Sequence, residues 1–215
     1  ERADLLGAPD GADPADPKSG GQDSADSSRG LRVGYVGQLY RGKGLEVLIP
    51  LSRRHPEFEF EVVGGTRDAL ERLATDKLPS NLSLHGFVPP GVLSEWFERF
   101  DVVLMPYQRR VEVAGGRSDA SRWMSPLKMF EYMAAGKAIV SSDLPVLREV
   151  LEDEENAILV PPEDLDSWSE ALQRLDRDPD LRKRLGAAAR EALLAHYSWD
   201  QRASAVLAGL GTPGR

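Results

Sequence analysis

Six short apolar runs constrain this chain more than any other feature, because each stops at a turn-forming residue and a helical pattern follows. They are Leu31-Arg32-Val33-Gly34-Tyr35-Val36 before Gly37, Phe58–Val63 before Gly64-Gly65, and Leu82–His85 before Gly86. The others are Val102–Met105 before Pro106, Ala138–Ser141 before Ser142-Asp143, and Ala157–Val160 before Pro161. Most are continuous rather than alternating, which suits parallel strands buried on both faces. Between them the period changes to that of helices: Lys43–His55 (its second half weakened by Pro50), Asp68–Ala74, Val92–Phe100, a helix after Ser125, and Val146–Leu151. Three more follow: one capped by Asp164 or Ser167, with Trp168, Ala171, Leu172 and Leu175 as its stripe, one carrying Leu181, Leu185, Ala188 and Ala192, and one from Asp200 to about Leu207. Strict strand–helix alternation predicts an α/β fold, a doubly wound, Rossmann-like parallel sheet of about six strands with helices on both faces.

The pattern starts only at Leu31. Residues 1–30 hold seven acids against three bases, and almost no large apolar side chain after Leu6. Such a segment cannot bury enough surface to offset its ordering entropy, so it is expected to be a flexible acidic linker ahead of one domain over 31–215. The formal net charge of −8, with no basic stripe, argues against nucleic acid and anionic membrane as partners. Cysteine is absent, which removes disulfides and thiolate metal sites. Neither a membrane-length apolar run nor a leader pattern is present, so a cytoplasmic location is expected, the inner membrane face included. The chain opens on Glu1 rather than Met, as a piece of a longer protein or a processed product does.

In a doubly wound sheet, ligands gather at the C-terminal strand ends. Two stretches there carry chemistry. Ser125-Pro126-Leu127-Lys128-Met129-Phe130-Glu131-Tyr132-Met133-Ala134-Ala135-Gly136 has an N-cap, a first-turn proline and a C-terminal glycine. It is apolar on nearly every side, as a buried helix is, and its single polar stripe is Lys128 and Glu131. Its N-terminus offers free N–H groups and a positive dipole end to phosphate; the competing reading is a surface salt bridge. Gly37-Gln38-Leu39-Tyr40-Arg41-Gly42-Lys43-Gly44 nearly satisfies the phosphate-loop pattern, but Gly44 stands where the magnesium-binding hydroxyl belongs. That favours phosphate binding near Lys43 over nucleotide hydrolysis. Weaker signals are Phe87 beside Val88, and a long loop 107–124 carrying Arg109, Arg110, Arg117 and Arg122. The three histidines have no metal-ligand spacing, so no metal is expected.

Four features coincide in order: Gly37-Gln38-Leu39 with Lys43-Gly44, Gly86-Phe87-Val88, Ser125 to Gly136, and Ala157-Ile158-Leu159-Val160-Pro161-Pro162 before a helix. Jointly they resemble the C-terminal, donor-binding domain of family-4 glycosyltransferases, which have the two-lobed GT-B fold. The resemblance covers about residues 31–208, and His196-Tyr197-Ser198-Trp199 is similar to the motif that opens the family's closing helix. It implies retaining transfer of a sugar from a nucleotide diphosphate sugar, UDP- or GDP-linked, with no metal or other cofactor. It places the diphosphate against Gly37, Gln38, Lys43, Ser125, Pro126, Leu127 and Lys128, and the base near Phe87 and Val88. Glu131 takes the ribose hydroxyls, and Lys43 and Glu131 carry the catalytic roles. Two positions depart from the family: Gln38 replaces a frequent arginine, and Trp123 stands where the first acid of Glu-x7-Glu belongs. The resemblance also implies a missing N-terminal acceptor lobe, so this chain alone is expected to bind nucleotide weakly and turn over little or nothing. The alternatives are the donor lobe of a sugar-nucleotide epimerase and a stand-alone nucleotide-binding or interaction module.

Overall fold

A computed structural model describes residues 29–74, 78–110 and 127–197. The expected linker up to residue 28, the helix from Asp200, Ser125, Pro126, Trp123 and most of the arginine-bearing loop lie outside the described residues. Six parallel strands form one sheet: β1 Arg32–Val36, β2 Glu59–Val63, β3 Leu82–Gly86, β4 Val102–Met105, β5 Ala138–Ser142 and β6 Ile158–Val160. Their order is β3-β2-β1-β4-β5-β6, so the direction of winding reverses between β1 and β4.

Strand side chains alternate between two cores. Val33, Tyr35, Phe60, Val62, Val102, Leu104, Ala138 and Val140 face one layer; Val36, Val63, Val103, Met105, Ile139 and Leu159 face the other. The first layer is covered by α1 (Leu45–Arg54) and α5 (Leu165–Arg177). The second is covered by α3 (Leu93–Arg99) and α4 (Leu127–Ala135). Helix α2 spans Arg67–Ala74, and α6 (Pro179–Ala192) packs on α4 and β5. Gly186 makes the α6 contact possible, since a Cβ there would lie 2.1 Å from the Gly136 carbonyl oxygen. The expected end of α4 is present: Gly136 has φ 64°, the left-handed geometry of a helix-terminating glycine. Asp164 caps α5 by accepting from the amides of Asp166 and Ser167.

Helix α1 runs through Pro50 to Arg54 as expected, because Val47, Leu48 and Leu51 bury against the sheet and hold its second half. Two expectations need correction. Residues 146–151 form successive turns, with Leu147 and Arg148 both donating to the Leu144 carbonyl, and not a helix. Helix α4 is buried on one face only, by Met129, Tyr132 and Met133, while Leu127 is 72% exposed. None of the described helices is long and apolar enough to cross a membrane.

Candidate functional site

The crevice at the winding reversal is built by the strands themselves. The ladder between β1 and β4 contains only Val33–Val102 and Gly34–Val103. Beyond it, Tyr132 of α4 takes over: its hydroxyl accepts from the Val36 N–H at 2.8 Å and donates to the Val36 carbonyl at 3.2 Å. A buried main-chain pair that has lost its strand partner is thereby satisfied by a side chain. Burial pushes the Tyr132 hydroxyl far up, so it stays protonated and able to do both.

The turns on either side of this crevice are drawn together. Gly42 accepts from the Gln108 N–H at 2.8 Å, and a Cβ on Gly44 would lie 2.3 Å from Pro106 Cγ. Lys43 is therefore held beside Tyr107, its Nζ 5.9 Å from the ring centre and 6.0 Å from that of Tyr40. Lys128 approaches the same ring from α4, 4.7 Å from its centre, and lies 4.1 Å from that of Tyr35. Its ammonium donates to the Tyr35 hydroxyl at 2.9 Å, and Tyr35 in turn donates to the Gln38 carbonyl at 2.8 Å. The salt-bridge reading of Lys128 and Glu131 fails: Lys128 turns inward to Tyr35, and Glu131 stays exposed.

The electrostatics of this edge are unsettled. Burial lowers Lys128 well below the usual lysine range, and the nearby charge of Lys43 lowers it further, against a smaller opposite pull from Glu131. Burial also lowers Lys43. Burial raises Tyr107, which keeps the ring neutral between the two cations. Two ammonium groups converge on one aromatic ring, and neither has a hydrogen-bonded carboxylate among the described residues.

The structure separates the expected site residues. Gly37, Gln38, Lys43, Leu127 and Lys128 gather at the crevice, and Glu131 lies one turn further along α4. Gly37 acts through space rather than through its amide, which donates to the Val63 carbonyl at 2.8 Å. With φ 152°, it admits Lys128, whose Nζ would be 2.8 Å from a Cβ there. The amides of Gly42 and Gly44 already donate to the Glu46 carboxylate at 2.7 and 3.3 Å. Phe87 is 68% exposed at the end of β3, but Val88 is core and can offer a ligand only its main chain. Tyr35, Tyr107 and Tyr132 are the residues that sequence reasoning missed. Their one signal is that each places a hydroxyl in an otherwise apolar segment at a strand end or facing helix.

The fold defines a Rossmann-like lobe of the GT-B kind, with two lysines converging at the crevice where the winding reverses. The family model described as "Glycosyl transferases group 1" matches residues 30–178, and the chain belongs to that family. A phosphatidyl-myo-inositol mannosyltransferase of Mycolicibacterium smegmatis is 34% identical over 163 residues, covering 73% of this chain and 38% of that protein. The chain thus spans about two fifths of the length of that relative. Among solved structures, Anabaena HepE, in complex with UDP and glucose, aligns with a TM-score of 0.67 at 14% identity, covering 87% of this chain and 50% of that one. The C-terminal domain of a group 1 glycosyl transferase from Francisella tularensis (LpcC) aligns with a TM-score of 0.59 at 19% identity, covering 80% and 88%.

Proposed function

We propose that this chain is the donor-binding lobe of a retaining glycosyltransferase, which moves a sugar from a nucleotide diphosphate sugar to an acceptor without a metal. The observation that carries this reading is the convergence of Lys43 and Lys128 on Tyr107, beside Gly37, with no carboxylate bonded to either among the described residues. Two cations at a strand-end crevice suit the pyrophosphate of a leaving nucleotide, whose negative charge grows as the glycosidic bond breaks. The lysines would supply the countercharge that a metal supplies elsewhere. The main-chain N–H groups of Leu127 and Lys128 at the start of α4 complete the diphosphate site, with Ser125 and Pro126 just ahead of them in the sequence. Gln38, exposed at the edge of the same turn, contacts the diphosphate in place of an arginine, and Arg41 beside it adds charge. Phe87 and the main chain of Val88 receive the base, and Glu131 accepts from the ribose hydroxyls. The relative's name supports transfer of a sugar and the UDP-bound HepE structure supports a nucleotide-linked donor, with UDP and GDP as the first to test. The acceptor and the rest of the catalytic machinery belong to a second lobe, with the protein working in the cytoplasm.

Calorimetric titration of UDP, GDP and ADP, with and without magnesium, tests this reading on the chain and on Lys43→Ala. One diphosphate should bind without magnesium, and Lys43→Ala should weaken it roughly ten- to a hundredfold, the effect of losing a charge-assisted contact. Binding that requires magnesium would return the glycine-rich turn to the hydrolase reading.

A further inference from the structure

Tyr35 is an odd choice for its position. It sits in the apolar run of β1, 1% exposed, where a phenylalanine would fill the same volume without burying a hydroxyl. A buried hydroxyl is costly unless both its donor and its acceptor capacity find partners. Here both do, and the partners come from opposite sides of the crevice: Lys128 of α4 donates to it, and it donates to the Gln38 carbonyl in the turn that leaves β1. The same lysine lies against the faces of the Tyr35 and Tyr107 rings, in the space that a Cβ on Gly37 would occupy.

We propose that the Tyr35 hydroxyl is a positioning group for diphosphate recognition. It ties the Lys128 ammonium to the Gly37-Gln38 turn, so that the two halves of the donor site are presented to the ligand as one unit. The ligand half of this proposal rests on the donor-site reading above; the relay itself does not. Tyr35 acts through Lys128 and touches no substrate. The charged and titratable groups around Lys128 are Lys43 before α1, Tyr35 on β1, Tyr107 after β4, and Glu131 and Tyr132 on its own helix. Of these, Tyr35 is the hydrogen-bond acceptor, so it stabilises the charged form of a lysine that burial and Lys43 both discharge. A bound diphosphate would do the same more strongly, so binding above the lowered value is coupled to proton uptake by Lys128, and affinity falls as pH rises through that value.

The test is Tyr35→Phe, which keeps the ring and removes the hydroxyl, with folding checked by circular dichroism. Lys128 is followed in the ligand-free chain by NMR of carbon-13-methylated amines, its signal identified by its loss in Lys128→Met. The variant should move the Lys128 titration to lower pH, weaken UDP or GDP about tenfold, and bring the alkaline loss of affinity to lower pH. In a Lys128→Met background the same substitution should cost little more, because the interaction it removes is already gone. A Lys128 titration unchanged in Tyr35→Phe overturns the relay, whatever the affinity does. A wild-type chain that binds neither nucleotide overturns the donor-site reading, and with it the ligand half of the proposal. A loss of affinity in Tyr35→Phe that is equally large in the Lys128→Met background also overturns the relay, since it would be merely structural.

Discussion

Two polar regions on the same sheet settle their charge in opposite ways. An opening of about 510 Å³ lies beside β2 and β3, with Glu61, His85 and Arg99 in its lining. Glu61 is buried there, its carboxylate 3.1 Å from His85 Nε2 and 3.3 Å from Arg99 Nη2. His85 packs on Trp96, and the Arg99 guanidinium lies 4.6 Å from the centre of the same ring. The Glu61 carboxylate thus has basic side chains against it, and its charge is offset within the fold. The crevice between β1 and β4 brings two lysines together with no hydrogen-bonded carboxylate on either among the described residues. The proposed donor site rests on that difference in charge pairing.

The largest effect that should separate the regions is Trp96→Ala. Trp96 is 1% exposed, and its removal should cost about 3 kcal/mol or more in chemical denaturation, while nucleotide affinity at the remaining folded protein stays unchanged. A matching loss of affinity would break the contrast. Lys43→Ala should do the reverse, giving the affinity loss described above with a denaturation midpoint at or above that of the parent, since it also relieves repulsion on Lys128.

Smaller effects sharpen the contrast along pH. Burial raises the Glu61 carboxyl, but its bond to His85 and the charge of Arg99 outweigh that and leave it below the usual range. Its stabilisation is therefore complete above the ordinary glutamate range and is lost as pH falls through the lowered value. Glu61→Gln should remove roughly 1–2 kcal/mol at neutral pH and flatten the acid limb of a melting-temperature profile. Lys128 carries the opposite sign. Its lowered value means that folding favours the neutral amine, so its cost is fully present below that lowered value and is relieved as pH rises through it toward the ordinary lysine range. Lys128→Met should raise the neutral-pH melting temperature slightly and erase that alkaline gain, while it weakens nucleotide binding. The melting profiles of the two variants would then differ at opposite ends of the scale.

Much of the architecture was legible in the sequence, for a physical reason. A strand covered on both faces must be apolar throughout, and each parallel strand needs a crossover, so six apolar runs between helices leave few arrangements. Gly136 and Asp164 announced helix ends because few residues suit those positions. Tertiary contacts decide where local preference is weak: buried neighbours carry α1 through Pro50, whereas the misread segment at 146–151 winds without becoming a helix. At the site, Lys43 and Lys128 were legible as cations near a strand edge. Glu46 was not, because a carboxylate two residues into a helix looks like any first-turn acid until its bonds to the Gly42 and Gly44 amides are seen. Nor was Tyr35, whose ring obeys the strand pattern and conceals what its hydroxyl does.

The Tyr132 bracket on Val36 has a mechanical consequence. A single phenol holds both main-chain groups of the last β1 residue, so α4 is fastened to the central strand like a rivet through two plates. Lys128 and Glu131 ride on that helix, and the turn after Val36 rides on that strand. If this lobe swings about a hinge, both move together with little internal adjustment, and the swing is transmitted whole to whatever is gripped between them.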